Sequence, residues 1–388
     1  MSKVSILLAA IEPSGDALGA ALFRALRKAR PDDLFFGAGG EKMRAEGFQS
    51  LFATEKLAVM GFTDVAKALP EGFKRAKELA LVAAEQKAKA AILIDGWAFS
   101  RLVAKRLRQY SPETKVYKLA GPQVWASRPQ RVHFVKEYFD GVLTLLPFEP
   151  KYFETVGIPS KFIGNPTFQN AAQNRGIGDR FRKKYNLQGK KILAVLPGSR
   201  KGEIDQLLPI FSEVVSQLAI GDPSLSFVAP LAPAVSDRAR AIMQTWDTPI
   251  IFSSDDEKYD VFAAADVALA ASGTVSTELA INATPMVITY KVDPLTAFWA
   301  RRVKTTPYGS ILNVLADAPV IPEFFQERCT PAHLTKEVAM FMRDKNAAAA
   351  QRSALEPLLA KLRLNGPDAG IAAADQIIEW LDREIRSD

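Results

Sequence analysis

Among its 388 residues the chain holds one cysteine, Cys329, and two histidines, His133 and His333. One thiol excludes an internal disulfide framework and any cysteine-cluster metal site, and it fits a reducing cytoplasm. Two histidines do not make a His-rich metal centre. No Asp-x-Asp pair occurs, and Asp255-Asp256 lies in a polar stretch that reads as a turn, so metal-dependent diphosphate binding has no candidate ligands. No apolar run approaches the roughly 20 residues needed to span a bilayer. The opening apolar run follows a single lysine and ends in Glu12-Pro-Ser-Gly-Asp16, not in a small-residue cleavage site, so it reads as a buried first strand and not as an export signal. The net charge is +7, but the basic residues are scattered, with no recognition helix, RNP-type motif or Cys/His finger. Nucleic acid is therefore set aside in favour of anionic lipid or a phosphorylated substrate.

What is present is an α/β pattern. The length exceeds one ordinary core and predicts two domains. Apolar strands alternate with amphipathic helices throughout, the signature of parallel sheets. The spacing predicts a helix from Asp16 and another from Lys74, with strands ending near Ala10, Gly37, Ile94, Leu119, Thr144 and Ile163. The polar, Gly- and Pro-containing segment 164–178 then reads as an interdomain linker. Beyond it the alternation restarts, with strands ending near Leu196, Ala229, Phe252, Ala270 and Thr289 and a helix from Ile204. Domains of 1–170 and 171–370 are expected, with a C-terminal helix 371–386 packing back on the first. Two Rossmann-like domains facing each other across a cleft form the GT-B plan of nucleotide-sugar glycosyltransferases. The oligomeric state stays open, a homodimer included.

Two strand ends in the second half carry phosphate-type turns. In Pro197-Gly-Ser-Arg200, Gly198 lets the backbone approach a ligand closely, Ser199 donates a hydroxyl, and Arg200 can grip phosphate oxygens with paired bonds. A plain strand-to-loop turn with a surface arginine is the alternative. In Ser272-Gly273-Thr274, either hydroxyl can cap the following helix, whose dipole favours an anion. Glu278 falls on the same face and suits ribose hydroxyls, or is simply a first-turn acid. With no Walker lysine motif, the pair of turns points to a sugar nucleotide.

The first half supplies acceptor-side candidates. In Glu12-Pro-Ser-Gly-Asp16, Ser14 or Asp16 can cap the next helix and Gly15 allows a tight approach. Asp95 ends the strand Ile92-Leu-Ile beside Gly96 and Trp97. A partly desolvated carboxylate there can take a proton from an acceptor hydroxyl, although such an Asp is also a common cap. Trp125 and Arg128 either line an acceptor pocket or, for Trp125, belong to the core. Glu149 reads as a first-turn acid. The stretch Leu295–Lys304 gathers Phe298, Trp299, Arg301, Arg302 and Lys304, and 66–75 is a weaker example. Aromatics beside cations suit an anionic membrane surface, or an ordinary helix with core aromatics.

These residues, in order, resemble the lipid-A-disaccharide synthase family nearly end to end. The likeness runs through Glu12 with Ser14-Gly-Asp16, Leu57-Ala-Val-Met-Gly61, Ile94-Asp95, Val124-Trp-Ala126 and Leu146-Pro-Phe-Glu149. It continues through Leu196-Pro-Gly-Ser-Arg200 with Glu203, Ala271-Ser-Gly-Thr274 with Glu278, and Lys304-Thr305 with Asn313. The resemblance implies an inverting hexosaminyltransferase of lipid A biosynthesis. Such an enzyme moves the acylated glucosamine of UDP-2,3-diacylglucosamine to the 6-hydroxyl of 2,3-diacylglucosamine 1-phosphate, a glycolipid acceptor. It implies Asp95 as general base, Arg200 and Asn313 as essential donor-site residues, Glu203 in substrate binding, no cofactor, and peripheral attachment at the cytoplasmic face of the inner membrane. Departures from the family pattern cluster in the first half: Ile11, Trp97, Ser100, Gly121, Gln123, Ser127 and, at the exit, Asn165 in place of a histidine. They imply retained donor handling and a rebuilt acceptor pocket. A paralogue with another lipid acceptor, a UDP-sugar 2-epimerase and a noncatalytic UDP-sugar or lipid-binding protein are the alternatives.

Overall fold

The computed structural model describes residues 3–55, 57 and 62–387. Of these, 62–68, 295, 300, 301 and 385–387 are described by their backbone alone. The chain divides into two compact units, 1–166 with 366–388, and 167–365.

The strands of the first unit are β1 (Ser5–Ala10), β2 (Leu34–Ala38), β3 (Ala90–Ile94), β4 (Lys115–Leu119), β5 (Gly141–Thr144) and β6 (Ser160–Phe162). They pair in parallel in the order β2-β1-β3-β4-β5-β6. Its helices are α1 (Pro13–Ala29), α2 (Glu41–Ala45), α3 (Phe62–Glu85), α4 (Trp97–Tyr110), α5 (Arg131–Tyr138) and α6 (Pro150–Glu154). Alternate residues of β1 feed two cores. Ile6, Leu8 and Ala10 pack with α1 and with 369–381, whereas Leu7 and Ala9, with Ile11 just past the strand, pack with α3 and α4. A sheet covered on both faces needs apolar residues at every strand position, which is why these strands read as continuous apolar runs.

The second unit begins with α7 (Pro166–Gln173), α8 (Gly178–Lys184), β7 (Ile192–Leu196), α9 (Lys201–Gly221), β8 (Ser226–Pro230), α10 (Ser236–Met243) and β9 (Ile250–Ser253). It continues with α11 (Lys258–Ala264), β10 (Val267–Ala271), α12 (Val275–Ile281), β11 (Met286–Tyr290), α13 (Pro294–Val303), α14 (Ile311–Ala316), β12 (Glu323–Phe325), α15 (Pro331–Arg343) and α16 (Lys345–Ala360). Its parallel sheet runs β12-β11-β10-β7-β8-β9. The last helix, α17 (Ala369–Ser387), returns to the first unit. There Trp380 stacks on Tyr117 at 4.9 Å. A Cβ on Gly370 would meet Ala21 Cβ at 2.6 Å, so the two helices touch almost backbone to backbone.

Three local expectations are corrected. The segment 164–178 contains the division between the units, as an interdomain linker does, but it is structured: α7 buries Phe168, Gln169 and Ala171 within it. Its polar composition hides a short amphipathic helix. Helix α1 starts at Pro13 and not at Asp16, since proline is suited to the first helical turn, where its missing N–H costs nothing. Helix α9 starts at Lys201 and not at Ile204, because Glu203 in its first turn reaches back to accept from the Arg200 N–H at the cap position.

Arg30 ties the start and end of the first unit together. Its side chain and that of Asp33 are each 4% exposed and pair at 2.5 Å, and Arg30 also reaches Asp382 of α17 at 2.9 Å. Asp33 in turn accepts from Val4 N–H at 3.0 Å. Arg30→Ala would leave a buried carboxylate uncompensated. It is expected to lower stability by about 3–5 kcal/mol, measurable as a drop in the urea midpoint.

Candidate active site

In each unit the candidate residues gather where the strand order reverses. In the first unit β1 leads to β2 on one side, and β3 returns on the other. Ala10 and Ile94 are register partners, so Glu12 and Asp95 leave neighbouring strand ends. In the second unit β7 leads to β8 and β9, and β10 returns on β7's other side. Leu196 pairs with Ala270, which puts Pro197–Arg200 beside Ser272–Thr274. A topological switch point leaves a crevice at the carboxyl ends of the strands.

Asp95 and Gly96 both take left-handed backbone angles, φ 50° and 45°. Such a pair is strained at the aspartate and is held by a clamp on the Asp95 carbonyl. Lys118 Nζ donates to it at 2.6 Å and Ser100 Oγ at 2.8 Å. Lys118 is 1% exposed, and its other donors reach the Leu93 and Leu119 carbonyls at 3.2 and 2.9 Å. Three acceptors match the three N–H bonds of an ammonium. Burial pulls this ammonium down to about 7, opposed by the charges of Asp95 and Glu12. The Glu12 carboxyl is raised by burial first and by Asp95 second, with Lys118 opposing. On the Asp95 side chain, Oδ2 accepts from Ser14 Oγ at 2.6 Å.

Most of the other first-unit candidates are committed to structure, Arg128 excepted. Neither Ser14 nor Asp16 caps α1, whose cap position is Glu12, with no side-chain bond. Asp16 instead accepts from Gly40, Lys42 and Met43 N–H at 2.8, 2.8 and 3.1 Å, and so caps α2. Gly15 serves packing, since a Cβ there would sit 3.0 Å from Asp95 Cβ. Trp125 is buried and donates from Nε1 to Glu149 Oε1 at 2.9 Å. Glu149 also accepts from Leu145 and Leu146 N–H, and burial pushes its carboxyl up to about 7 despite those donors. Arg128 is exposed at φ 53°. Ala58 to Gly61 lie outside the described residues.

In the second unit Arg200 and Ser272 line one cavity of about 440 Å³, together with Tyr290, Lys304, Gly309 and Phe325. The Arg200 side chain is 71% exposed, and its NH1 meets Glu203 Oε1 at 3.1 Å. Glu203 Oε2 accepts from Ser199 and Arg200 N–H. At φ 112°, Gly198 leaves room for that carboxylate: a Cβ would approach it to 2.3 Å. Glu203 is thus the brace that shapes the turn. Nothing lies within 4 Å of a Cβ on Gly273, which leaves the second turn open to close approach. Thr274 occupies the cap position of α12 without a side-chain bond, and Ser276 Oγ donates to the Gly273 carbonyl instead. Glu278 is buried and accepts from Lys258 Nζ at 2.8 Å. Asn313 is fully buried, with its amide exchanging two 2.8 Å bonds with the Ile321 backbone. It positions the chain before β12 and does not project into the cavity.

Sequence reasoning missed Lys118, Lys258, Tyr290, Phe325 and Glu323, which accepts from Gly309 and Ser310 N–H. A lysine interrupting the central strand Lys115-Val-Tyr-Lys-Leu119 was the available signal for the first of these. Of the aromatic–basic stretch, Phe298 and Trp299 are 49% and 61% exposed, and Arg302 stacks over Phe298 at 3.4 Å. Lys304 turns toward the Arg200 cavity, where burial lowers its ammonium and Glu323 opposes. The side chains of Arg301 and of 66–68 lie outside the described residues. Among the described residues no helix is long and apolar enough to cross a membrane.

Two parallel Rossmann-like sheets, each with its candidate residues at a switch point, define a GT-B protein. Solved structures share that fold. The UDP-GlcNAc 2-epimerase of Neisseria meningitidis, bound to UDP-GlcNAc, aligns over 99% of this chain and 100% of its own with a TM-score of 0.58 at 10% identity, a likeness of fold. The family model for lipid-A-disaccharide synthetase matches residues 6–368. The lipid-A-disaccharide synthase of Paramagnetospirillum magneticum is 38% identical over 97% of both chains. That of Rhodospirillum centenum is 36% identical over 100% of this chain and 97% of its own. The chain belongs to the lipid-A-disaccharide synthetase family.

Lys118 gives a pH signature. Its folded value of about 7 lies below the ordinary 10.5, so between these values the unfolded chain binds more protons, and stability rises with pH there. Lys118→Met is expected to remove that rise. Urea unfolding of both proteins at pH 7 and pH 9 checks it, and equal slopes would refute the assignment.

Proposed function

We propose that the chain is an inverting hexosaminyltransferase that joins the sugar of UDP-2,3-diacylglucosamine to the 6-hydroxyl of 2,3-diacylglucosamine 1-phosphate. Family membership makes it a glycosyltransferase of lipid A biosynthesis. The observation that carries the finer reading is the 440 Å³ cavity that brings Arg200 and Ser272 together. Two cations, a hydroxyl and two aromatic rings suit a nucleoside diphosphate. The second unit holds the donor in this reading, and the first holds the acceptor. Asp95 accepts the proton of the acceptor hydroxyl. The hydroxyl oxygen bonds to the anomeric carbon from the face opposite the diphosphate, and the bond to the diphosphate oxygen breaks with inversion. Arg200 and Lys304, with the Ser272–Thr274 turn, stabilise the charge that develops on the leaving UDP. In this reading Glu278 accepts from the ribose, with Lys258 on its second oxygen. Ser14 orients Asp95 through its hydrogen bond, Glu12 lies near it as a second carboxyl, and Glu203 and Asn313 position the donor turn and the chain before β12.

UDP release from donor plus acceptor tests this reading, with the disaccharide product identified by mass spectrometry. Asp95→Asn is expected to lower kcat by about 10²–10⁴-fold, the range for loss of a general base, with donor KM little changed. Unchanged activity would sink the base assignment. Conversion of the sugar nucleotide alone would point instead to an epimerase.

The same reading places the protein at the cytoplasmic face of the inner membrane, supported by exposed Phe298 and Trp299 beside Arg302. Interfacial anchoring scales with buried apolar area and attraction to anionic lipid. Replacing both aromatics by serine is expected to cut co-sedimentation with anionic vesicles by about tenfold while leaving UDP release from micellar substrates intact. Undiminished co-sedimentation would remove the patch from the membrane contact.

A further inference from the structure

A second cavity lies in the first unit. It measures about 310 Å³, and Ile11 and Glu12, Gly72 of α3, and Leu102 of α4 are among its lining residues. Ala98, Arg101, Leu102 and Lys105 all line it, and their i, i+3, i+4, i+7 spacing makes them one face of α4. That face is apolar at one part and cationic at another. The volume lies at the lower end of the roughly 300–1,000 Å³ range of small-molecule sites.

The cations here are supported by rings. Arg101 lies over Phe134 at 4.9 Å, Arg131 over Trp97 at 5.7 Å, and Lys105 over Phe134 and Tyr138, both at 5.7 Å. Among the described residues no carboxylate forms an ion pair with Arg101, Lys105, Arg128 or Arg131. The Arg131 guanidinium is pulled below its usual range by burial first, then by the charges of Arg128 and Arg101. Arg101 and Arg131 sit on neighbouring rings, since Trp97 and Phe134 pack edge to face at 5.6 Å, and cations gathered without a counter-charge repel one another. A phosphate relieves that repulsion and accepts paired N–H bonds from the planar forks. Glu12 connects this cavity to the candidate base: it lines the wall, and its carboxyl feels the charge of Asp95.

We infer that this cavity seats the acceptor, with an acyl chain in the trough between α3 and α4 and the acceptor's phosphate on Arg101 and Lys105 of its wall, and with Arg131, held over the Trp97 ring that packs on Phe134, beside Arg101. The inference rests on the proposed reaction and adds to it the residues that read the acceptor's tail and charge. Gly72 is the control point for the tail. A Cβ there would be 3.6 Å from Leu102 Cδ1, an ordinary contact, so the position accepts a side chain, and one as long as leucine extends into the trough that the acyl chain would fill.

The test measures binding of 2,3-diacylglucosamine 1-phosphate and of its dephosphorylated form in a fixed detergent, using the full chain. Wild type is expected to favour the phosphorylated form by at least about tenfold, in line with one charge-assisted contact or more. The double variant Arg101→Ala/Arg131→Ala is expected to lose that preference, and Gly72→Leu to weaken both forms alike. In turnover, the acceptor KM rises and the donor KM does not. A preference that survives the double variant, or binding indifferent to Gly72→Leu, overturns the seat. Phosphate-dependent binding without UDP release from wild type would retain the seat and overturn the reaction. Normal UDP release and acceptor binding in every variant would do the opposite. Vesicles of phosphatidylglycerol without acceptor form the last arm: if the double variant loses only vesicle binding, the cluster is a membrane contact and the seat is overturned.

Discussion

The pairing of β1 with β3, repeated by β7 with β10, is the constraint on which the rest of each unit depends. Both pairs join strands whose following connections depart in different directions, so neither connection covers the gap between the two strand ends. In the first unit the helices leave on opposite faces: α1 belongs to the core built on Ile6, Leu8 and Ala10, and α4 to the core built on Leu7, Ala9 and Ile11. A crevice therefore exists before any side chain is chosen. What the chain places around it then differs. The first unit sets a buried ammonium beneath a strained aspartate turn. The second braces a glycine turn with the buried carboxylate of Glu203 and leaves an arginine in the open.

Many of the acids and amides near these crevices hold backbone and not substrate. Asp16 satisfies three N–H groups at the start of α2, Glu149 satisfies two and an indole, Glu203 satisfies two, and Asn313 closes a ring with Ile321. Short helices and tight turns leave donors that no regular structure absorbs, and a buried donor without a partner is costly. A loop-rich crevice thus demands structural carboxylates in the same places where it needs chemical ones. Asp95 is distinguished from these by its situation: its backbone carbonyl carries the clamp, and its side chain meets only a serine hydroxyl among the bonds described.

This explains what could be read from the residues. Strands buried on both faces write themselves as apolar runs, so Ala90–Ile94 and Val267–Ala271 were legible, and so were the turns that end them. The motif pairs lay at the switch points because strand order follows from alternation. Elements whose signals are short or polar were not legible: β12 has three residues, and α7 spreads three amides, a proline and a threonine over eight positions. Roles also escaped where they depend on partners far along the chain. Nothing local distinguishes Asp16 as a cap for residue 40, or Glu278 as the partner of Lys258. Lys118 lies between these cases, since a lysine in a central strand announces burial without saying which carbonyls receive it.

The return of α17 to the first unit has a consequence for synthesis. The face of α1 that carries Ala21, and the ring of Tyr117, are covered by residues 369–381. On the ribosome those residues emerge after the whole of the second unit. Units that are continuous in sequence can fold as they appear, and residues 167–365 are continuous. The first unit is not, so the part of the chain made first is the part completed last. Until then it presents an uncovered apolar helix face, and a nascent chain stalled between the two units would be the form most exposed to chaperones.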